Sequence, residues 1–464
     1  MRVLLVSTYE LGHQPLSVAG AAAAIRAAGH EVRCADVAVE AIDPADIDWA
    51  QRTALSVPMY TAMRLALEAG RVIRRYKPAM PLCYFGLYAA TAANIPVGSP
   101  SDAAIAGEYE AGLASWAGGG PAGPRVALAR LSNPTPDRTD LAPLDVYTRL
   151  NLGGEERLVG SVAASRGCSH RCRHCPVPVV YDGRVRPVEV DKVLADVEAL
   201  VGNGARHINF ADPDFFNSPR HSARVLTAFA GRHPDVSCDV TIKVEHILRH
   251  RDMLSLLADA RCAFVVSAFE STSDQILGIL DKGHTSSEAS IAVKALREYG
   301  IEIRPSWLPF TPWTTMQHLV DLLNFVIAHD LIDNVDPVQY SIRLLVPEGS
   351  LLLAHEAIQP HISGYDSAVI GWSWTNPDPA IDELQSTLAG IVESRLGDPL
   401  HDTFERIEGA IRAATDDTSD RPVVGSVSKG AMGNRARLSE PWFCCSEPTQ
   451  SQLVALGPQP SNAG

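Results

Sequence analysis

Three cysteines fall within eight residues in the run Cys168-Ser-His-Arg-Cys172-Arg-His-Cys175. Thiolates at spacings of four and three can hold three irons of a 4Fe-4S cube and leave the fourth iron without a protein ligand, which makes it a place for chemistry. The competing reading is a Cys3His zinc knuckle with His170 or His174 as fourth ligand. Structural zinc loops usually pair two ligand clusters a dozen or more residues apart, and no such second pair follows here. A second reactive feature is Pro441-Trp-Phe-Cys444-Cys445-Ser-Glu447-Pro448. Its vicinal thiols do not form an easy disulfide but can share a soft metal or metalloid.

The elements around these residues alternate. Met1–Val6 reads as a strand, Leu16–Ala28 as an Ala-rich helix ended by Gly29, and Glu31–Ala38 as the next strand, a βαβ unit. A weaker strand signal over Ile47–Val57, a helix over Thr61–Tyr76 and strands at Ala79–Phe85 and Ala103–Gly107 extend it to a doubly wound, Rossmann-type domain. Gly118–Pro124 and Ser132–Asp137 are rich in breakers. Strands are expected at 160–164, 207–211, 238–244, 263–269, 302–307 and 336–344, and helices at 188–203, 218–232, 251–260, 285–299 and 315–329. Six strands with intervening helices predict a partial (β/α)6 barrel, whose functional groups sit at the C-terminal strand ends. The expected fold is therefore α/β, divided into a Rossmann-like domain (1–135), a linker (136–157), the partial barrel (158–350) and a helical extension with the Cys-Cys tail (351–464). That extension has a helix over Ile381–Leu396, a polar stretch over Asp416–Gly433 and a disordered final eight residues.

The CxxxCxxC run between a strand-like segment (Leu158–Ala164) and a later helix resembles the radical S-adenosylmethionine (SAM) enzymes. The resemblance implies that SAM chelates the open iron and that a sulfonium C–S bond is cleaved reductively, with flavodoxin or ferredoxin as electron donor. His174 departs from the family pattern, which has an aromatic residue there; it can still pack over adenine. At the second strand end, Asp212 and Asp214 of Phe210-Ala-Asp-Pro-Asp-Phe-Phe would take the SAM amino group. At the third, Lys243 would meet the SAM carboxylate, with Glu245 as its partner or a ribose ligand. Glu270 ends the fourth strand and would point at substrate or ribose; at the fifth, Arg304 and Ser306 would face the nucleoside, with Leu308 and Phe310 near adenine. Each also has a structural alternative: a helix cap for the aspartates, a solvated group for Lys243 and Glu270.

The segments LSVAGAAAAIRAAGHEV, ALSVPMYTAMRLA and AIAGEYEAGLASW resemble the cobalamin-binding domain that precedes the barrel in one large radical SAM class. No DxHxxG supplies a lower axial His and no GxGxxG cradles a dinucleotide, so cobalamin stays open beside a purely structural domain. The tail resembles a narrower family, the radical SAM proteins ending in Cys-Cys-Ala-Glu-Pro, with Ser446 here in place of Ala. Its arsinothricin-forming members imply transfer of the 3-amino-3-carboxypropyl group of SAM to trivalent arsenic, with Cys444 and Cys445 holding arsenite. The rival readings are a cobalamin-dependent radical methyltransferase on a small molecule, a sulfur-inserting or RNA-modifying enzyme, and a non-catalytic arsenic or metal-binding protein.

Composition narrows these. The chain has 464 residues, 46% hydrophobic, and a net charge of -14, enough for two or three domains with sizeable cores. An acidic chain without clustered Lys and Arg argues against a nucleic-acid partner. No apolar run approaches a membrane span, MRVLLVSTYE lacks a signal-peptide layout, and nine cysteines, an odd number, fit a reducing compartment; a cytoplasmic protein is expected.

Overall fold

Val3–Val6 is a continuous, fully buried apolar run, the pattern of a strand covered on both faces. The computed structural model, which describes residues 1–92, 102–130, 134–415, 435–443, 445–449, 452 and 453, places it at the heart of a parallel sheet. The strands are β1 (Arg2–Ser7), β2 (Glu31–Asp36), β3 (Arg52–Ser56), β4 (Leu82–Phe85), β5 (Ala103–Gly107) and β6 (Val126–Ala127), in the order β2-β1-β3-β4-β5-β6. Helices α1 (Leu16–Ala27), α2 (Pro44–Trp49), α3 (Tyr60–Tyr76), α4 (Ala89–Ala92) and α5 (Glu110–Ala117) connect them. The chain reverses direction across the sheet between β1 and β3, so the loops leaving these strands flank the crevice where open α/β sheets bind ligands.

One expectation is corrected here. Residues 47–49 of the strand expected over 47–57 belong to α2, because Asp43 caps it (Ala45 N to Asp43 Oδ1, 2.8 Å) and Pro44 opens it, the usual helix-start pair. Residues 118–124 join α5 to β6 of the same sheet.

The second sheet runs β14-β13-β12-β11-β8-β7-β17. A hairpin of β7 (Arg149–Leu152) and β8 (Glu155–Val162) opens it, so the barrel sheet begins inside the stretch expected as linker. A short antiparallel pair, β9 (Ser165–Gly167) and β10 (Val185–Pro187), brackets α6 (Val177–Tyr181). Parallel strands β11 (His207–Phe210), β12 (Ser237–Thr241), β13 (Cys262–Glu270) and β14 (Glu302–Trp307) alternate with α7 (Val190–Gly202), α8 (Pro219–Arg232), α9 (Val244–Arg249), α10 (Leu254–Asp259), α11 (Asp274–Leu280) and α12 (Ser286–Arg297). Ile208, Val240, Val265 and Ile303 bury one sheet face against Leu194, Leu226, Leu257 and Leu296 of these helices. The strand expected to run to 244 stops at Thr241, and Val244 starts α9.

The sixth strand expected over 336–344 does not form. Pro337 opens a 3-10 turn to Tyr340, and only Phe310 and Arg343 make a parallel bridge. Proline cannot donate to a ladder, and the Gln339 side chain accepts from Trp307 N (3.0 Å) in place of a strand neighbour. The result is a five-stranded parallel half-barrel.

Beyond it, α13 (Met316–Ala328), a hairpin of β15 (Ile362–Asp366) and β16 (Gly371–Trp374), α14 (Pro379–Ser394) and α15 (Leu400–Thr415) pack on the barrel flank. The last helix was not anticipated, although Phe404, Ile407 and Ile411 give it one apolar face. Strand β17 (Arg437–Leu438) pairs with β7 and closes that edge. The Asp416–Gly433 stretch, the final eight residues and Cys444 lie outside the described residues.

Candidate functional site

The cysteine run leaves the C-terminal end of β8, and every turn of it is tied to the barrel. Gly167 has φ +75°, and a Cβ there would lie 2.2 Å from the Arg184 carbonyl oxygen, so the approach to Cys168 requires glycine. Asn217 Oδ1 accepts from Ser169 N (3.0 Å) and Ser169 Oγ (2.8 Å), and lies 3.5 Å from Cys168 Sγ. Arg173 N donates to Leu280 O (2.9 Å), and its guanidinium to Gly278 O and Ile279 O at the carbonyl end of α11, where a cation is favoured. Ser350 Oγ donates to Arg173 O (3.1 Å).

Cys168 and Cys172 are buried and Cys175 is half-buried. Burial first, and then the neighbouring thiols, push Cys168 up and Cys175 up to about 12. Three converging soft donors fit an iron-sulfur cluster, which takes them as thiolates. The rings of His170 and His174 are engaged elsewhere, with His246 and Glu270.

Glu270 stands at the end of β13 with φ +63°, a left-handed conformation rare outside glycine. Its Oε1 meets Lys282 Nζ (3.1 Å) and His174 Nε2 (3.1 Å). Burial alone would raise its carboxyl, but the Lys282 ammonium and His174 outweigh that and hold it well below the ordinary carboxylate range. Burial opposes the Lys282 charge, yet Glu270 and the sulfurs of Cys172 and Cys175 carry its pKa above the usual value. A fixed cation thus sits beside two of the cluster thiols. Beside it lies His284, buried, with its pKa lowered to about 4, first by burial and then by Lys282.

The other expected site residues divide. Lys243 Nζ lies 3.5 Å from Glu245 Oε2, with Lys282 and Gly283 next to them. Asp212 faces inward: its oxygens accept from Ala164 N (2.9 Å) and Ser165 Oγ, and burial raises its carboxyl to about 7. Asp214 caps the turn after it (Phe216 N, 3.0 Å) and turns its other oxygen toward His246. Arg304 lies in mid-strand, bonded to Asp336 (2.8 Å) and to Ala436 O (3.2 Å); Ser306 is buried two residues on. Leu308 and Phe310 are buried in the barrel core.

The tail docks on the first domain. Thr61 Oγ1 donates to Ser446 O (2.7 Å), Arg64 pairs with Glu447 (2.6 Å), and Tyr60 meets Glu447. Cys445 lines a cavity of about 370 Å³ with Tyr60, Leu345, Trp372 and Trp442.

Sequence reasoning passed over Asn217, Lys282, His246 and His284. Asn217 precedes Ser218-Pro219, which reads only as a helix start, and Lys282-Gly283 reads only as a helix stop; nothing local pairs either with the cysteines.

Residues 162–326 match the model of the Radical SAM superfamily. The chain therefore carries a radical SAM domain, whose cofactors are a 4Fe-4S cluster and SAM. Among curated relatives, an uncharacterized methyltransferase of Pyrococcus horikoshii is 23% identical over 45% of this chain and 43% of its own length. The hopanoid C-2 methylase of Rhodopseudomonas palustris is 22% identical over 36% and 33%. The tRNA-2-methylthio-N(6)-dimethylallyladenosine synthase of Chlorobaculum tepidum is 30% identical over 39% and 41%. The match spans less than half the length of each of these relatives.

Among solved structures, the cobalamin-dependent SAM radical enzyme OxsB aligns with TM-score 0.65 at 14% identity, over 89% of this chain and 71% of its own. The radical SAM methyltransferase TsrM of Kitasatospora setae aligns with TM-score 0.62 at 17% identity, over 89% and 99%. The two-domain fold of this chain is thus theirs. No helix among the described residues is long and apolar enough to cross a membrane.

Proposed function

We propose that this chain is a radical SAM transferase that moves the methyl group of SAM onto a small-molecule acceptor. The observation that carries the reading is the junction of the two domains. The strand ends of the first sheet, with Val57, Tyr60 and Tyr88, share one apolar cluster with Cys168, Cys175, Val177 and Tyr181 of the cysteine loop. OxsB and TsrM, whose structures hold cobalamin, have the same two-domain fold, and the P. horikoshii and R. palustris relatives are described as methyltransferases.

When bound, a 4Fe-4S cluster supplies an electron and an open iron at which SAM is chelated and a sulfonium C–S bond cleaved. The chain's residues arrange the rest. Cys168, Cys172 and Cys175 would hold three irons and Lys282 would balance their charge, while Glu270 is fixed by Lys282 and His174. Lys243 and Ser306 are the groups for the SAM carboxylate and nucleoside.

At the strand ends of the first domain, Tyr9, Tyr60, Tyr88 and the tail's Trp442 share one apolar cluster, and His13, the histidine of the β1–α1 loop, is buried and electrostatically linked to Asp239 and His207 of the barrel.

The tail favours a second reading: transfer of the 3-amino-3-carboxypropyl group to trivalent arsenic. Cys445 lines a cavity beside Trp372 and Trp442, and vicinal thiols are apt ligands for a soft metalloid. Anaerobic reconstitution with SAM and reductant, with and without arsenite, distinguishes the two by mass analysis. Methyl transfer leaves S-adenosylhomocysteine; cleavage at the Cγ–S bond leaves 5′-methylthioadenosine and an arsenic-bound amino acid. Arsenite-dependent methylthioadenosine that vanishes in the Cys444→Ser/Cys445→Ser protein would replace the first reading by the second. Neither product from a cluster-loaded protein would overturn both.

A further inference from the structure

Beside the cysteine loop, three metal-ligating side chains from three elements converge. His170 comes from the loop, Asp214 from the turn after β11 and His246 from α9, and their donor atoms all lie within 4.8 Å of one another. His170 Nε2 is 3.1 Å from His246 Nε2 and 3.7 Å from Asp214 Oδ2, and His246 Nδ1 is 2.8 Å from that same oxygen. We propose that His170, Asp214 and His246 form a second metal site, for one divalent transition ion such as zinc or ferrous iron, distinct from the thiolate cluster.

Donors on one ion with bonds of about 2.0–2.2 Å stand roughly 3–3.5 Å apart; with His246 Nδ1 as its donor, the two separations from Asp214 Oδ2, 2.8 Å to His246 Nδ1 and 3.7 Å to His170 Nε2, lie either side of that range. Two imidazoles and a carboxylate suit zinc and ferrous ions. The alternative is a hydrogen-bonded triad, and the local geometry is poor for it. Asp214 Oδ2 and His246 Nδ1 are buried, and despite their proximity neither has a hydrogen-bond partner of acceptable alignment. An ion between the three would satisfy both atoms, whose burial without a partner is otherwise costly.

The surroundings are those of a supported ligand set. Asp214 is fully buried and fixed by its bond from Phe216 N (3.0 Å). Glu245 Oε2 lies 3.7 Å from the remaining ring nitrogen of His170 and 3.5 Å from Lys243 Nζ, and its other oxygen meets Arg249. Carboxylates at the far nitrogen of metal-bound histidines are a common supporting arrangement. Because His170 lies between Cys168 and Cys172, an ion here would clamp the cluster loop to β11 and α9 before any iron arrives.

The test uses full-length protein carrying Cys168→Ala, Cys172→Ala and Cys175→Ala, freed of metal by chelation and titrated anaerobically with Co²⁺. The expected result is one saturable equivalent with visible d–d absorption and no thiolate charge-transfer band. Adding His246→Ala or Asp214→Asn should weaken it at least about ten-fold. No saturable binding by a variant with unchanged circular dichroism, or binding indifferent to those substitutions, overturns the proposal. Should the triple variant not fold, metal analysis of the reconstituted full chain decides. One zinc or one iron beyond the cluster, lost in His246→Ala while the cluster spectrum persists, supports the site; no extra ion overturns it.

Discussion

At the junction of the two domains, the barrel side and the Rossmann side differ in what lies nearest the cysteine loop and the tail. The barrel presents buried ionisable groups: Glu270 with Lys282 and His174, Asp214 close to His246, Asp212 with the chain ahead of the cysteines. The first domain presents Tyr9, Tyr60, Tyr88 and Met59, with the tail's Trp442 laid among them, and on its other flank the buried carboxylates Glu108 and Glu110, which meet Tyr181 and Arg166 of the barrel. Polar clusters in a low-dielectric setting fix positions and charges, whereas an aromatic wall excludes water and tolerates rearrangement. The proposed chemistry places bond breaking on the barrel side, with the first domain as its cover.

The contrast can be broken at several points. Replacing Cys168, Cys172 and Cys175 by Ala is expected to reduce bound iron and SAM cleavage to background, measured by iron content and product mass analysis. The same treatment of Cys34 and Cys83, buried in the first domain, should leave the cluster intact.

Lys282→Met comes next, since it leaves the Glu270 carboxylate buried without its cation. A loss of about 3–5 kcal/mol is expected for breaking one side of a buried pair, read by denaturant unfolding, together with loss of SAM cleavage.

Asp212→Asn tests the pH behaviour of the barrel face. Burial raises the Asp212 carboxyl from 3.8 to about 7, so the folded chain keeps its proton after the unfolded chain has released it. The stability it lends is complete below pH 3.8 and drains away as pH rises through about 7. Removing the carboxyl should flatten that part of the stability curve by roughly 1–3 kcal/mol, measured as unfolding midpoint against pH.

Tyr60→Phe is the mildest, because it removes only a hydroxyl that donates to Val369 O (3.1 Å) and meets Glu447. A cost of about 0.5–1.5 kcal/mol is expected, with faster proteolysis of the tail and no change in cluster content.

Much of this architecture is legible from local pattern. The cysteine run, the βαβ start from Met1 to Ala38 and strands 207–210 and 302–307 follow from spacing and periodicity alone. Where a distant partner intervenes, the local pattern is misleading or silent. Apolar residues over 336–344 suggest a strand, yet Gln339 takes the Trp307 amide that a neighbouring strand would have bonded. The pairing of Arg304 with Asp336, 32 residues on, and of Lys282 with Glu270 shows in no local spacing.

The sequence by itself determined the donor chemistry, three thiols at spacings that suit an iron-sulfur cube, and the alternation that winds two parallel sheets. Such features depend on residues a few positions apart, where chain geometry leaves little choice. Only the tertiary structure decided which charged groups are paired, that His170 meets Asp214 and His246, and that the tail lies across the first domain. Those outcomes depend on burial and on contacts between residues dozens to hundreds of positions apart, and a carboxylate or imidazole acquires its charge and partner only once the sheets have closed around it.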